Sequence, residues 1–254
     1  MRRLLTLIHY EARNLYASAA TYVAAVLTLL VMGTWYCVVL FDLSAQEQEA
    51  APATLFFGFF FVPALIFVPL LTMRSVAEER RLGTLQTLLA TPATASEVVF
   101  SKFIAAYGFY IFVWALSLSF PLITVQYFDQ PDVTQRLLEP GPLIGGYAFI
   151  ALSGALFVAV GIFSSSLTRT QLVAGMLCFS IIFILLVGVP VIQNTGFAPD
   201  LNLLVPEEFL AYLQVTYHFD DFVRGVIDTR PVVYYLSSTL MVLGLAVLVV
   251  ESKV

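Results

Sequence analysis

Apolar residues in this chain gather into long runs instead of alternating or recurring as a narrow stripe. Between successive charged residues lie uncharged stretches at 14–41, 50–73, 103–128, 140–168, 170–199 and 231–250, each at least 20 residues long. A helix rising about 1.5 Å per residue needs roughly 20 residues to cross about 30 Å of hydrocarbon. The pattern predicts an all-α integral membrane protein with six transmembrane helices, approximately 17–41, 54–73, 103–128, 142–166, 171–193 and 231–250. Ala17 to Phe41 is too long for a cleaved signal peptide and is expected to be a retained first helix.

Shorter patterns sit between the runs. Leu4, Leu5, Ile8, Ala12 and Leu15 share one helical face, with Arg2, Arg3, His9 and Arg13 largely elsewhere. This predicts an N-terminal interfacial helix. Pro63 and Pro69 in the second run, Pro121 in the third and Pro190 in the fifth each remove a backbone donor and crowd the preceding turn, so kinks are expected. After the second run the charges end at Arg81, and Leu82, Leu85, Leu88 and Leu89 then recur at helical spacing. The spacing predicts a short amphipathic cytoplasmic helix over 78–91, ended by Pro92; Thr94-x-x-Glu97 is a capping-box pattern that opens the third helix. Composition leaves both a lipid interface and a protein groove open as its partner.

In the fourth run Gly141, Gly145, Gly154 and Gly161 would permit close helix contact, and Ser164–Ser166 with Thr168–Gln171 reads as a tight cytoplasmic turn. The segment 194–230 is too long for a hairpin and is expected to be a structured extracytoplasmic loop. Pro206-Glu207-Glu208 opens one short helix, and Phe219, Phe222, Val223 and Val226 pattern a second from His218 to Asp228. Within it Arg224 can approach Asp220 or Asp221, and Gly225 would interrupt the helix where a neighbour packs closely. Asp228 and Thr229, ahead of Pro231, are expected to cap helix 6.

Composition strengthens the membrane reading: 60% hydrophobic and 11% charged residues over 254 positions, with a mean hydropathy of +0.91, exceed what a soluble fold can hide. The net charge of −5 matters less than its sidedness. With the N-terminus in the cytoplasm, nine of the twelve Lys and Arg residues fall inside, while twelve of the seventeen acids fall outside. That bias places both termini in the cytoplasm. Cys37 and Cys178 lie in different apolar runs and are assigned no chemistry. His9 and His218 belong to no metal-binding motif. No charge falls inside a span as bounded above, which argues against a proton relay.

The string from Met73 to Phe103, MRSVAEERRLGTLQTLLATPATASEVVFSKF, resembles the coupling segment of ABC-2-type permeases, the membrane subunits of a class of ATP-binding-cassette transporters. EARNLYASAATY at 11–22 is similar to that family's entry into helix 1. His218-Phe219-x-x-Phe222-x-x-Gly225-Val226-Ile227-Asp228 resembles the segment before the last helix in its gliding-motility-like branch. Gln86 stands where the family commonly has Glu, Ser101 where it has Gly, and Ala19 near its usual Pro.

The resemblance implies that Glu78, Glu79, Arg80, Arg81, Leu82, Gly83, Thr84, Leu85, Leu88 and Leu89 couple the chain to an ATPase. The chain has no G-x-x-x-x-G-K-[ST] loop, since its lysines, Lys102 and Lys253, each follow a serine. The motor would then be a separate ATPase subunit carrying ATP and Mg, with no cofactor in this chain. A second permease copy or a related permease is implied, in contact with membrane lipids and with no nucleic acid. His218, Phe219, Phe222, Gly225 and Asp228 are candidates for an extracytoplasmic gate. The expected function is the permease subunit of an exporter in the cytoplasmic membrane. A non-transporting partner that transmits an ATPase's force to an extracytoplasmic apparatus is the alternative. A polytopic enzyme is disfavoured because no cluster of nucleophile, base or metal ligands is evident.

Overall fold

Polypeptide in lipid must satisfy its own N–H and C=O groups, and the elements formed here do so as helices. The structure is a computed structural model describing residues 2–45, 51–89, 93–127, 137–191, 214–225 and 228–253. Pro92, Pro206–Glu208 and Val226, which carried expectations above, lie outside the described residues. Six helical stretches are long and apolar enough to cross a membrane: Ala19–Asp42, Phe61–Leu82, Ala95–Tyr127, Pro140–Leu167, Gln171–Val191 and Thr229–Glu251. Large apolar side chains such as Leu30, Leu122, Met176 and Leu240 are exposed on their outer surfaces, as contact with hydrocarbon requires.

The N-terminal helix α1 (Arg2–Ala17) breaks at Ser18 before α2 (Ala19–Ala45). Its last turn packs on the third span, where the Tyr16 ring stands edge-on to Phe109 at 5.1 Å. The second span is preceded by α3 (Pro52–Gly58) and formed by α4 (Phe61–Thr72). The discontinuity falls at Phe59–Phe60 because Pro63 has no N–H to give the Phe59 carbonyl, which accepts from Val62 instead at 3.1 Å. Pro69, also expected to kink the helix, is accommodated inside α4. The short helices α5 (Ala77–Leu82) and α6 (Thr84–Leu89) follow. The third span is α7 (Ala95–Ser117) continued by α8 (Ser119–Tyr127), and the break at Leu118 sits just ahead of Pro121.

The central element is α9 (Pro140–Leu167), buried along most of its length. A Cβ on Gly146 would overlap the Phe57 ring, on Gly154 the Tyr110 ring, and on Gly161 the Thr72 side chain. At Gly145 it would overlap the Phe222 backbone carbonyl. These absent side chains let α3, α7, α4 and the segment carrying Phe222 approach one backbone. Gly141, expected to act likewise, faces open space. Polar bonds reinforce the contact: the Tyr107 hydroxyl donates to the Ala151 carbonyl at 2.9 Å. Ser164–Ser166, read above as a turn, instead form the last turn of α9, and the connection is only 168–170.

The fifth span begins as α10 (Gln171–Phe183) and passes through a π-helical turn at Ile184–Gly188, where the Val189 N–H reaches back to the Ile184 carbonyl. Pro190 cannot donate to Leu186, and the widened turn absorbs that loss of register. On the same side lies α11 (Val215–Val223), followed by α12 (Thr229–Glu251), which Asp228 caps by accepting from the Arg230 N–H at 3.1 Å.

Gly145→Ala should cost about 1–3 kcal/mol, because the added methyl meets an immovable backbone carbonyl. Gly141→Ala, in open space within the same helix, should be neutral or stabilise by up to about 1 kcal/mol. Thermal unfolding of the detergent-solubilised protein, with proteolysis of 214–225 as a local readout, checks both.

Candidate coupling site

The charged string after the second span forms two short helices, where the spacing predicted one. Gly83, at φ +73°, occupies the left-handed region after Leu82, a conformation that costs a residue with a Cβ about 1 kcal/mol or more. The resulting corner re-aims the leucines. Leu85 turns inward and is 5% exposed, Leu88 is half-buried, and Leu82 stands out at 63% exposed. Thr84 bridges the corner by donating its hydroxyl to the Glu79 carbonyl at 3.3 Å. Glu78 and Arg81 form an open ion pair at 3.8 Å, of the sort that contributes about 0–1 kcal/mol. Leu89 closes α6, and its side chain lies outside the described set.

The segment is bolted to the C-terminal end of α9 by Ser165 and Arg80. Ser165 Oγ accepts from the Val76 and Ala77 N–H groups at 3.1 and 3.0 Å and donates to the Met73 carbonyl at 3.2 Å. One hydroxyl thereby uses its donor and both acceptor sites on the turn that starts α5. Arg80 Nη1 donates to the Ser166 carbonyl at 2.6 Å and the Thr168 carbonyl at 3.2 Å, filling acceptors that the end of α9 leaves open. A serine in an apolar run gave no sign of this role.

A second attachment is ionic. The third helix starts at Ala95, behind the Thr94–Glu97 capping box, so Lys102 lies two turns inside it and outside the 103–128 span assigned from sequence. Lys102 is thus carried by the same continuous helix as the third span, one residue before the bound drawn from sequence. Lys102 is 3% exposed and donates Nζ to Glu11 at 2.7 Å and to Glu79 at 2.6 Å. One ammonium thus joins α1, α5 and α7. Two carboxylates share one ammonium in a partly buried site, and among the described residues Glu79 Oε2 has no hydrogen-bond partner. Desolvation offsets much of the Coulombic gain of such a group, so its net contribution to stability is small, while removing one partner is costly. Glu11 and Lys102 were each visible as parts of the family-like strings, but nothing local joins positions 91 residues apart. A cavity of about 710 Å³ opens beside the triad, between α1, the end of α4, the two short helices and α7, with Tyr10, Asn14, Arg74, Thr87 and Leu88 in its lining.

The outer candidates assemble separately. His218, Phe219 and Phe222 are buried, with the Phe219 and Phe222 rings 5.5 and 5.9 Å from Phe149 of α9. Helix α11 ends at Val223 and does not run on to Asp228, because Gly225 turns the chain at φ +78°. Its backbone conformation, and not close packing, is what requires glycine, since an added Cβ would meet only Gly141 at 3.9 Å. Among the described residues no ion pair joins Arg224 to Asp220 or Asp221. The His218 Nδ1 lies 3.3 Å from the Tyr235 hydroxyl. Burial lowers the His218 pKa below its usual value of about 6.5, against the opposing pull of Asp221 and Asp228.

Six apolar helices around a glycine-lined pole, with a braced charged segment at one end and a docked aromatic helix bearing His218, define a multi-pass membrane protein. A family model described as "ABC-2 family transporter protein" matches residues 5–251. The chain belongs to the ABC-2 transporter family, whose members are permeases of ABC transporters partnered by an ABC ATPase. A search of the curated proteins finds no match.

Removing the triad's ammonium by Lys102→Met should destabilise by about 3–5 kcal/mol, since it strands two partly buried carboxylates. Adding Glu11→Gln and Glu79→Gln should restore much of the loss, as thermal unfolding in detergent would record. For α11, detached His218 takes up its proton near pH 6.5 while docked His218 does so only at lower pH. Docking should therefore weaken as pH falls through about 6.5 and be undiminished above it. Hydrogen exchange of 215–223 at pH 5 and pH 7.5 measures this, and His218→Phe should remove the difference.

Proposed function

We propose that the chain is the permease subunit of an ABC exporter in the cytoplasmic membrane, with both termini in the cytoplasm. ATP and Mg are bound by a separate ATPase, and this chain does no chemistry of its own. A second permease, either a copy of this chain or a related one, completes the pathway. The nine-to-three distribution of Lys and Arg supports this orientation. The observation that carries the reading is the braced corner at Gly83: Leu82 is presented outward, while Lys102, Ser165 and Arg80 tie the elements behind it to α1, α7 and α9. A push on that corner is delivered to three helices at once. The central α9 carries it to the opposite face, where α11 rests on Gly145 and closes the outer mouth.

The two inward and outward leucines separate docking from folding. Leu82→Asp should leave the thermal stability of the isolated subunit within about 0.5 kcal/mol and abolish substrate-independent co-purification with the ATPase. Leu85→Asp should destabilise the subunit itself by about 2–4 kcal/mol, because it puts a charge into a packed site. Full ATPase binding and turnover by Leu82→Asp would reject the docking assignment.

A further inference from the structure

Three cations meet at the connection between α9 and α10. Arg80 is held by the Ser166 and Thr168 carbonyls, Lys253 Nζ donates to the Leu167 carbonyl at 3.1 Å, and Arg169 stands exposed at the tip. Carbonyl partners fix the cations in place without cancelling formal charge, and both side chains keep further N–H donors. Among the described residues none of the three pairs with a carboxylate; the ion pairs there are Glu78–Arg81, Glu11–Lys102 and Glu79–Lys102. Glu251, two positions before Lys253 on α12, is exposed and joins none of them. The Lys253 pKa is lowered, first by burial and then by the repulsion of Arg80 and Arg169. Among the described residues no carboxylate compensates the three cations of this cluster.

Its surroundings say what would compensate it. Leu167, the last residue of α9, is exposed, and so are Leu172, Val173 and Met176 on the first turns of α10. The charged patch therefore runs directly into a hydrocarbon-facing apolar strip. We propose that the α9–α10 connection binds an anionic phospholipid from the leaflet on the coupling-segment side, its phosphate on Arg169, Lys253 and Arg80 and its chains along Leu167, Leu172 and Met176. Lipid phosphate matches both halves of the site, whereas an acidic protein surface matches only the cations. This inference rests on the membrane embedding alone and not on the exporter reading.

Native mass spectrometry of the full chain, titrated with dioleoylphosphatidylglycerol or dioleoylphosphatidylcholine, tests it. The native protein should prefer the anionic lipid. The double variant Arg169→Gln, Lys253→Gln should lose roughly thirty-fold in affinity for it, from two cations contributing about 1 kcal/mol each. The charge-keeping pair Arg169→Lys, Lys253→Arg should retain the preference, and soluble glycerol phosphate should not displace the lipid. Equal binding by the neutralised variant would overturn the proposal. Displacement by glycerol phosphate would make this a free-anion site, and loss of the ATPase with lipid binding intact would make it a protein contact; either result rejects the lipid assignment.

Discussion

Close backbone contact along α9 is the constraint on which this bundle depends. In hydrocarbon, lipid chains are as apolar as leucine, so burial gives helices little reason to prefer one another; packing and hydrogen bonds must hold them. Gly145, Gly146, Gly154 and Gly161 each admit a different neighbour to a distance that a methyl group would forbid. The aromatic rings then fill the space between helices, with Phe60, Trp114, Phe149 and Phe157 buried around the same pole. Because four neighbours are referred to one backbone, α9 cannot shift without moving the elements at both of its ends.

Backbone groups left open by proline or a helix end are where the connecting bonds collect. The Phe59 carbonyl freed by Pro63 finds a nearer donor, and the register lost at Pro190 is absorbed by a π-helical turn. At the end of α9 the open carbonyls take Arg80 and Lys253, and Ser165 supplies what the start of α5 lacks. The cost of ending a helix is thus met by the neighbouring segment, and meeting it is what fastens the two together.

Lys102 adds a bond of a different kind. A buried ammonium shared by two carboxylates is a poor source of stability, yet it is sensitive to position, because moving either partner leaves a charge uncompensated in a poorly solvated place. One ammonium thereby ties the N-terminal helix, the first short helix and the third span to a single point.

Much of this was legible in the order of residues. Six spans follow from the lengths of the apolar runs, and the capping box at Thr94–Glu97 and the Asp228 cap follow from local hydrogen bonding that needs no tertiary partner. A short helical segment after the second span was legible because its charge and leucine pattern is contiguous, although it forms two helices and not one. What the order of residues left open was direction and partnership. Gly83 could be read as a helical residue until its positive φ turned Leu82 out and Leu85 in, and Gly225 as a site of close packing until it proved to be a turn. Ser165, an unremarkable hydroxyl in an apolar run, gained its role from residues 88 and 89 positions away, and Lys102 from one 91 positions away. Periodicity and capping are short-range and are determined by the sequence itself; which buried polar group answers which open donor or charge is decided only when the helices pack, because the cost of leaving it unanswered exists only once water has gone.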